Sequence, residues 1–227
     1  MVAKPVSPFN GKPATEKVTE ADGTSYFRIR PCELTPVRAK ISDMAGSMTA
    51  LGLNVAGIYQ FEVFVGDPHW LWGLALVGPW LAHPLIWRLY RVLLRKETEI
   101  VITPEEFRFR TWKGWQTYDR QLPHKFALIP HDKARAEKEA HDLETRREQA
   151  RGQFVSKTRY YGESYHLSFE YLGQRNDVLT IHGRKEALAV LARLKACDEV
   201  MDAEARMGDG IALDPEDQWS DQPGEIK

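Results

Sequence analysis

The stretch GDPHWLWGLALVGPWLAHPLIWRLYRVLLRK, from Gly66 to Lys96, decides which fold the chain can adopt. Between Asp67 and Arg88 it holds twenty residues without formal charge. That is about the length of a helix that crosses a ~30 Å hydrocarbon core. A second uncharged run, MAGSMTALGLNVAGIYQF, fills the eighteen positions between Asp43 and Glu62. The two runs therefore predict either a membrane hairpin or two helices buried in a water-soluble protein.

The residues around the two runs favour the membrane hairpin. Basic residues precede the first run and follow the second, whereas the connecting segment EVFVGDP is short and acidic. This pattern predicts a membrane protein with both termini in the cytoplasm. Two interpretations of these basic residues are open. They serve only as a topological signal, or they also bind anionic lipid headgroups. The residues predicted at the membrane interface and lipid headgroups are Arg88, Arg91, Arg95, Lys96, Trp70, Trp72 and Trp87.

Small residues recur at helical spacing on both runs, and small residues let two helices approach closely in lipid. The predicted packing stripes are Ala45, Thr49, Gly52 and Ala56 on the first run and Ala75, Gly78 and Ala82 on the second. Pro79 and Pro84 predict a bend in the second helix, because proline removes a backbone donor. His83 is expected to hydrogen-bond across the hairpin to Asn54, or to be functional, since a polar ring is costly in lipid.

The alternative, a hairpin buried in a water-soluble protein, requires cover on every side, because the second helix carries apolar residues on all its faces. The rest of the chain is too small and too polar to supply that cover. We therefore expect a transmembrane helical hairpin over residues 43–96.

After Glu97 the pattern changes to short alternating segments that are typical of strands. TEIVIT, EFRFRTW, WQTYDRQL and HKFALIP predict an antiparallel meander. SKTRYYGESYHLSFEYLG and NDVLTIHG predict two more strands, with GQRN as their turn. The helical spacing of apolar residues in RKEALAVLARLKACDEVMDAEAR predicts a final helix that caps the sheet. The fold class is therefore α+β, with a sheet domain over residues 97–205.

A highly charged segment, HDKARAEKEAHDLETRREQARG, interrupts the strands between His131 and Gly152. Its composition predicts a helix supported by oppositely charged pairs four residues apart. It is either a self-supporting exposed helix or a docking surface for a protein partner or a second copy. The residues predicted to contact that partner are Arg135, Glu139, Asp142 and Arg146.

The two ends of the chain are polar. Residues 1–42 predict a partly disordered segment, loose as far as Gly23 and followed by a short strand SYFRIR, and they contain no secretory signal. Residues 206–227 predict an acidic, flexible tail with Trp219 as a contact point. Cys32 and Cys197 lie far apart and outside any ligand motif, so both are expected to be reduced thiols.

Little in the sequence indicates chemistry. The net charge is -1, so no overall positive field attracts nucleic acid. The seven histidines form no metal-ligand pattern, and motifs for a serine nucleophile or a phosphate loop are missing. We therefore expect no enzyme, no metal, no cofactor and no small-molecule substrate.

Two apolar helices followed by EIVITPEEFRFRTWKGWQTYDR, further antiparallel strands and a C-terminal amphipathic helix resemble the bacterial pleckstrin-homology-like membrane proteins. The resemblance covers the architecture from about Asp43 to Ala205. It implies a protein of the bacterial inner membrane, with both termini in the cytoplasm and a small cytoplasmic sheet domain that has a binding or scaffolding role and no catalysis. The charged helix and the first forty residues have no counterpart in that family, which leaves the partner open.

The expected function is a membrane-anchored scaffold subunit that contacts membrane lipids and binds a protein partner or itself. One alternative is a soluble oligomeric regulatory or scaffold protein whose hydrophobic hairpin is buried at an oligomer interface. Another is a conjugation-type accessory that contacts nucleic acid at the membrane, against which the near-neutral charge argues.

Overall fold

A computed structural model describes residues 12–20, 24–61, 70–153 and 158–208. Within these ranges the chain is α+β, with four helices and three antiparallel sheets. The predicted acidic connection between the apolar helices, the first eleven residues, and the tail from residue 209 with Trp219 lie outside the described residues.

The helices are α1 (Pro36–Gln60), α2 (Trp70–Leu93), α3 (Ala134–Ala150) and α4 (Arg184–Gly208). The strands are β1 (Ala14–Thr19), β2 (Ser25–Arg30), β3 (Cys32–Glu33), β4 (Lys96–Glu97), β5 (Ile100–Ile102), β6 (Glu106–Thr111), β7 (Gly114–Asp119), β8 (His124–Pro130), β9 (Ser164–Tyr171) and β10 (Gln174–His182). We call α1 and α2 the hairpin, and the described residues outside 34–95 the sheet domain.

The largest sheet has the order β1-β2-β5-β6-β7. The predicted alternation is confirmed in β6, where Phe107 and Phe109 are buried and Arg108 and Arg110 are exposed. Strand β1, in contrast, pairs with β2 along its whole length, although the sequence predicted a loose segment there. Its six residues ATEKVT are exposed or half-buried, so this edge strand carries no apolar alternation.

A three-stranded sheet, β10-β9-β8, packs against the first through aromatic side chains. The ring of Phe169 stacks on that of Phe107 at 4.5 Å, which joins the two sheets. Helix α4 closes the core with Ala187, Leu194 and Met201, so the predicted capping helix is confirmed. The turn between β9 and β10 falls at Leu172 and Gly173, both with positive φ, rather than at the predicted GQRN.

The hairpin is inserted between two short strands. The chain enters α1 directly after β3 and leaves α2 into β4, and these strands pair Cys32 with Glu97 and Glu33 with Lys96. Thr35 caps α1 by accepting a hydrogen bond from the amide of Arg38 at 3.4 Å, and Pro36 begins the helix. The two ends of the hairpin are therefore held side by side.

The expectation of a transmembrane hairpin is wrong. None of the described helices combines the length and the apolar content that crossing a bilayer requires. In α2 the four tryptophans, two prolines, two glycines and His83 dilute the aliphatic residues, and in α1 polar and charged residues do so. The placement in a bacterial inner membrane with both termini in the cytoplasm depended on this hairpin and is wrong with it.

A buried arginine joins the large sheet to α4. The Arg120 side chain is 3% exposed; its Nε donates to Asp198 at 2.6 Å, Nη1 donates to the Pro104 carbonyl, and Nη2 donates to Asp202. His124 also bonds to Asp198, with Nε2 to Oδ2 at 3.1 Å. Because each charge is matched, this cluster compensates the burial of the guanidinium.

Replacing Arg120 with methionine is expected to lower the free energy of unfolding by about 3 kcal/mol, because the half-buried carboxylate of Asp198 loses its cation. Urea denaturation measures the change. Arg135→Met, at a side chain that is 91% exposed, is the matched control and should change stability little. A loss of stability below about 1 kcal/mol for Arg120→Met would contradict the stabilising role of the Arg120 cluster.

The His124–Asp198 contact also predicts a pH dependence. The hydrogen bond that His124 donates to Asp198 raises the pKa of His124 above 6.5, although burial opposes it. Burial alone would raise the pKa of Asp198, but hydrogen bonds from His124 and Arg120 hold it below 3.8. The His124 contribution is present at low pH and is lost as the pH rises through its raised pKa, whereas the Asp198 contribution is lost in acid.

The free energy of unfolding should therefore fall between about pH 6 and about pH 8 by more in the native chain than in a His124→Gln variant. Urea denaturation at a series of pH values checks this. Identical pH profiles for the two proteins would show that His124 does not couple to folding.

Candidate interaction surface

The two helices of the hairpin contact each other through small and polar residues. The buried positions of α1 are Pro36, Ala39, Ser42, Gly46 and Ala50. Gly46 faces the backbone of Trp87, and a Cβ built at Gly57 would lie 3.1 Å from the Cβ of Ala75. The Thr49 hydroxyl bonds to that of Tyr90 at 2.9 Å. The close approach of the helices thus depends on glycine and alanine.

Asn54 compensates for a proline in the opposite helix. Pro79 has no amide hydrogen, so the carbonyl of Ala75, four residues earlier, loses its helical donor. The Asn54 side-chain amide donates to this carbonyl at 3.1 Å and to that of Leu76 at 2.9 Å. His83 instead lies 3.4 Å from the hydroxyl of Ser47, so the predicted bond between His83 and Asn54 does not form.

The carboxylate of Asp43 anchors the hairpin to the sheet domain. Its Oδ1 accepts a hydrogen bond from the indole of Trp87 and lies 3.5 Å from Arg91 Nη2, and its Oδ2 accepts one from the Tyr160 hydroxyl at 2.8 Å. The guanidinium of Arg91 stacks over the Trp87 ring at 3.8 Å. Burial and, after it, the bond to Asp43 raise the pKa of Tyr160 to about 12, so the hydroxyl remains a donor.

Residues 158–163, which we call the Tyr160 loop, also connect the hairpin to the charged helix α3. The carboxylate of Glu137 in α3 accepts hydrogen bonds from the amides of Tyr160 at 3.0 Å and Gly162 at 2.6 Å. Helix α3 has no buried residue, so these bonds attach it to the rest of the molecule. A polar chain therefore runs from the hairpin through Tyr160 to α3.

Away from these contacts the hairpin exposes large apolar side chains on both helices. We call these residues together the outer apolar face. It comprises one stripe on the outside of each helix: Met44, Met48, Leu51, Val55 and Tyr59 of α1 and Leu74, Val77, Leu81, Leu85 and Leu89 of α2. Leu81 is 76% exposed and Met48 67%. Large exposed apolar surfaces are typical of interaction sites.

The outer apolar face is electrically neutral over most of its length. Within the described residues, the charges of the hairpin are Arg38, Lys40, Asp43, Arg88 and Arg91, all at the end next to the sheet domain. A Cβ built at Gly52 or Gly73 would meet nothing within 4 Å, so these positions leave open space for a neighbouring helix.

The predicted small-residue stripes lie at an angle to the observed helix contact. Ala75 is buried, whereas Ala45, Thr49, Gly78 and Ala82 are half-buried. Gly52 and Ala56 are exposed on the outside of α1. The contact runs through Gly46, Ala50 and Gly57 because Asn54 must reach the carbonyls around Pro79.

The four predicted headgroup cations do not form one free cluster. Arg91 is engaged by Asp43 and Trp87, and Arg95 bonds to Glu186 of α4 at 2.6 Å. Arg88 and Lys96 are exposed. Of the predicted interface tryptophans, Trp70 is exposed and Trp72 and Trp87 are half-buried.

The four residues predicted for partner binding lie on α3. Arg135 and Glu139 form an ion pair at 2.9 Å, and Asp142 and Arg146 are exposed. Sequence reasoning did not single out Glu137, Tyr160 or Asp43, because their contacts join positions far apart in the chain. The only local signal was the lone carboxylate of Asp43 at the edge of an uncharged run.

No three histidine, cysteine, aspartate or glutamate side chains in the described part of the chain are grouped so that they could hold a metal ion. Comparison with protein-family models, curated proteins and solved structures found no match, so the resemblance to pleckstrin-homology-like proteins stays a prediction.

Asn54→Leu is expected to lower the free energy of unfolding by about 1 to 2 kcal/mol, because the Ala75 carbonyl loses its donor. In a Pro79→Ala background the new backbone amide replaces that donor, so the same substitution should have a smaller effect. Urea denaturation of the native chain, the two single variants and the double variant gives the coupling free energy between Asn54 and Pro79, which we expect to be about 1 kcal/mol.

Pro84→Ala is the matched control, because the carbonyl that Pro84 frees belongs to Trp80, which Asn54 does not contact. Asn54→Leu should have its full effect in that background. Additive effects of Asn54→Leu and Pro79→Ala would contradict the pairing of the two residues.

Proposed function

We propose that the chain is a non-catalytic association protein whose hairpin buries its outer apolar face against the hairpin of a second copy. The exposed aliphatic and aromatic side chains on both helices carry this proposal. Each fully buried side chain of this kind contributes about 1.5 to 3 kcal/mol relative to its exposed state. Pairing two such faces removes much of this surface from water.

The charge distribution favours a second copy as the partner. A symmetric contact places each residue opposite the same surface on the other chain, so charged faces repel each other. The outer apolar face carries no charge over residues 44–61 and 70–87, so this repulsion is missing. The open space at Gly52 and Gly73 lets two helices approach closely.

The charged residues next to the hairpin complete the arrangement of a protein interface. Interfaces combine an apolar centre with a polar rim. Arg88 at the base of α2 and the mixed charges of α3, among them Arg135, Glu139, Asp142 and Arg146, supply such a rim. The bonds of Glu137 to the Tyr160 loop keep α3 close to the hairpin. We therefore include α3 in the proposed contact.

The double substitution Leu81→Glu and Leu85→Glu is expected to weaken self-association by at least about tenfold, because it places carboxylates in an apolar contact. Sedimentation velocity over a range of protein concentrations measures the oligomeric state. Circular dichroism on the same samples tests whether the helices remain folded.

Trp112→Glu is the control, because this side chain is 85% exposed but lies on the sheet domain. It should leave the association unchanged. A native chain that remains monomeric at every concentration would overturn the proposal, and so would a doubly substituted chain that associates as strongly as the native one.

A further inference from the structure

A cavity of about 290 Å³ lies at the base of the hairpin, where α4 begins. It is enclosed by the start of β1, the segment between β2 and β3, the end of β10 and the first turns of α4. Its apolar walls come from Pro13, Ala14, Pro31, Ile181, Ala189 and Val190. Its volume is just below the range for small-molecule sites, about 300 to 1,000 Å³.

Four cations and one anion also line this cavity. Arg95 bonds to Glu186 at 2.6 Å, and Arg30 lies 3.5 Å from Glu16 outside the cavity. In the described part of the chain, Lys12 and Lys185 make no ion pair. The Nε of Arg95 is buried and has no hydrogen-bond partner among the described residues. The lining therefore offers unused donors and positive charge beside an apolar wall.

We propose that this cavity binds an amphipathic anion, namely a short acyl chain that ends in one carboxylate. The acyl chain lies against the apolar wall, and the carboxylate accepts hydrogen bonds from the cations. Charge complementarity selects this class, because carboxylates pair strongly with guanidinium and ammonium groups. The small volume limits the chain to a short or medium length.

A larger cavity on the large sheet lacks this combination. Its volume is about 460 Å³, and Arg28 and Glu99 in its lining already pair with each other at 3.0 Å. Its charges are therefore matched within the protein. The cavity beside α4, in contrast, has four cations and one anion in its lining.

The two cysteines provide a direct readout in the full chain. Cys32 is exposed and lines the cavity. Cys197 is buried, and burial raises its pKa to about 12, so it should react little with a maleimide. The experiment measures the rate of maleimide labelling at Cys32, identified by mass spectrometry, with and without octanoate.

Octanoate near ten times its dissociation constant should slow labelling of Cys32 by about tenfold, because the occupied cavity shields the thiol. Acetate and octanol at the same concentration should have little effect, since each lacks one half of the amphipathic structure. Equal protection by octanol would show that the cations do not contribute to binding, and it would overturn the proposal. Stronger protection by octyl phosphate than by octanoate would assign the site to phosphate esters and overturn the carboxylate.

Two substitutions test the location of the site. Ala189→Trp fills the cavity and Lys185→Glu reverses a charge in its lining, so each should abolish protection by octanoate. Ala192→Trp and Lys195→Glu are matched controls at exposed positions of the same helix, and each should preserve protection. Protection that survives both test substitutions would overturn the proposal.

The protein's own first ten residues are a competing occupant of the cavity. A chain that begins at Gly11 tests this alternative. Equal protection in this chain and in the full chain supports the proposal. Protection in the shortened chain alone would mean that the N-terminal segment fills the cavity, and it would overturn a ligand site in the intact protein. These outcomes do not depend on self-association of the hairpin.

Discussion

The carboxylate of Asp43 is the interaction on which the arrangement of the molecule depends. It lies in α1, accepts hydrogen bonds from α2 and from the Tyr160 loop, and faces the Arg91 guanidinium. Since Glu137 holds the same loop from α3, three parts of the chain meet around one acid. A half-buried carboxylate with several donors is held firmly, because each lost donor leaves negative charge in a poorly solvated place. The hairpin therefore keeps one orientation although the hydrophobic core of the sheet domain does not include it.

The hairpin combines an interior contact of small and polar residues with an apolar exterior, whereas a globular protein usually places its large apolar residues inside. Its inner contact uses Asn54, Thr49 and Ser47, whereas its outer side carries leucine, valine and methionine. The prolines explain part of this inversion, because Pro79 frees a carbonyl that needs a polar partner inside the hairpin. Among the described residues of a single chain the exposed apolar side chains have no such partner, which is why the proposed function places a second copy there. None of the described helices is long and apolar enough to cross a bilayer instead.

Local patterns were sufficient to predict most of the sheet domain. Alternation identified the strands from Ile100 to Pro130, and helical spacing identified α4, since both depend on neighbouring residues. Strand β1 was missed because an exposed edge strand has no apolar face to reveal it. The membrane interpretation was wrong because the absence of charge was taken as apolar character, although tryptophan, glycine and proline are poor substitutes for leucine. The polar chain from Asp43 to Glu137 could not be predicted, since Asp43 and Tyr160 are 117 positions apart and meet only in the folded state.

The pairing of β3 with β4 has an architectural consequence. Glu33 and Lys96 are neighbours across a ladder, and the main core cluster contains no residue from the segment between them. The hairpin is thus an insertion into the sheet domain, and the two strands that flank it already pair with each other. A tight turn could connect β3 and β4 in its place. A longer hairpin, or one with different surface residues, could also replace it without changing the register of either large sheet. In such a design the surface that the hairpin presents can change while the sheet domain stays the same.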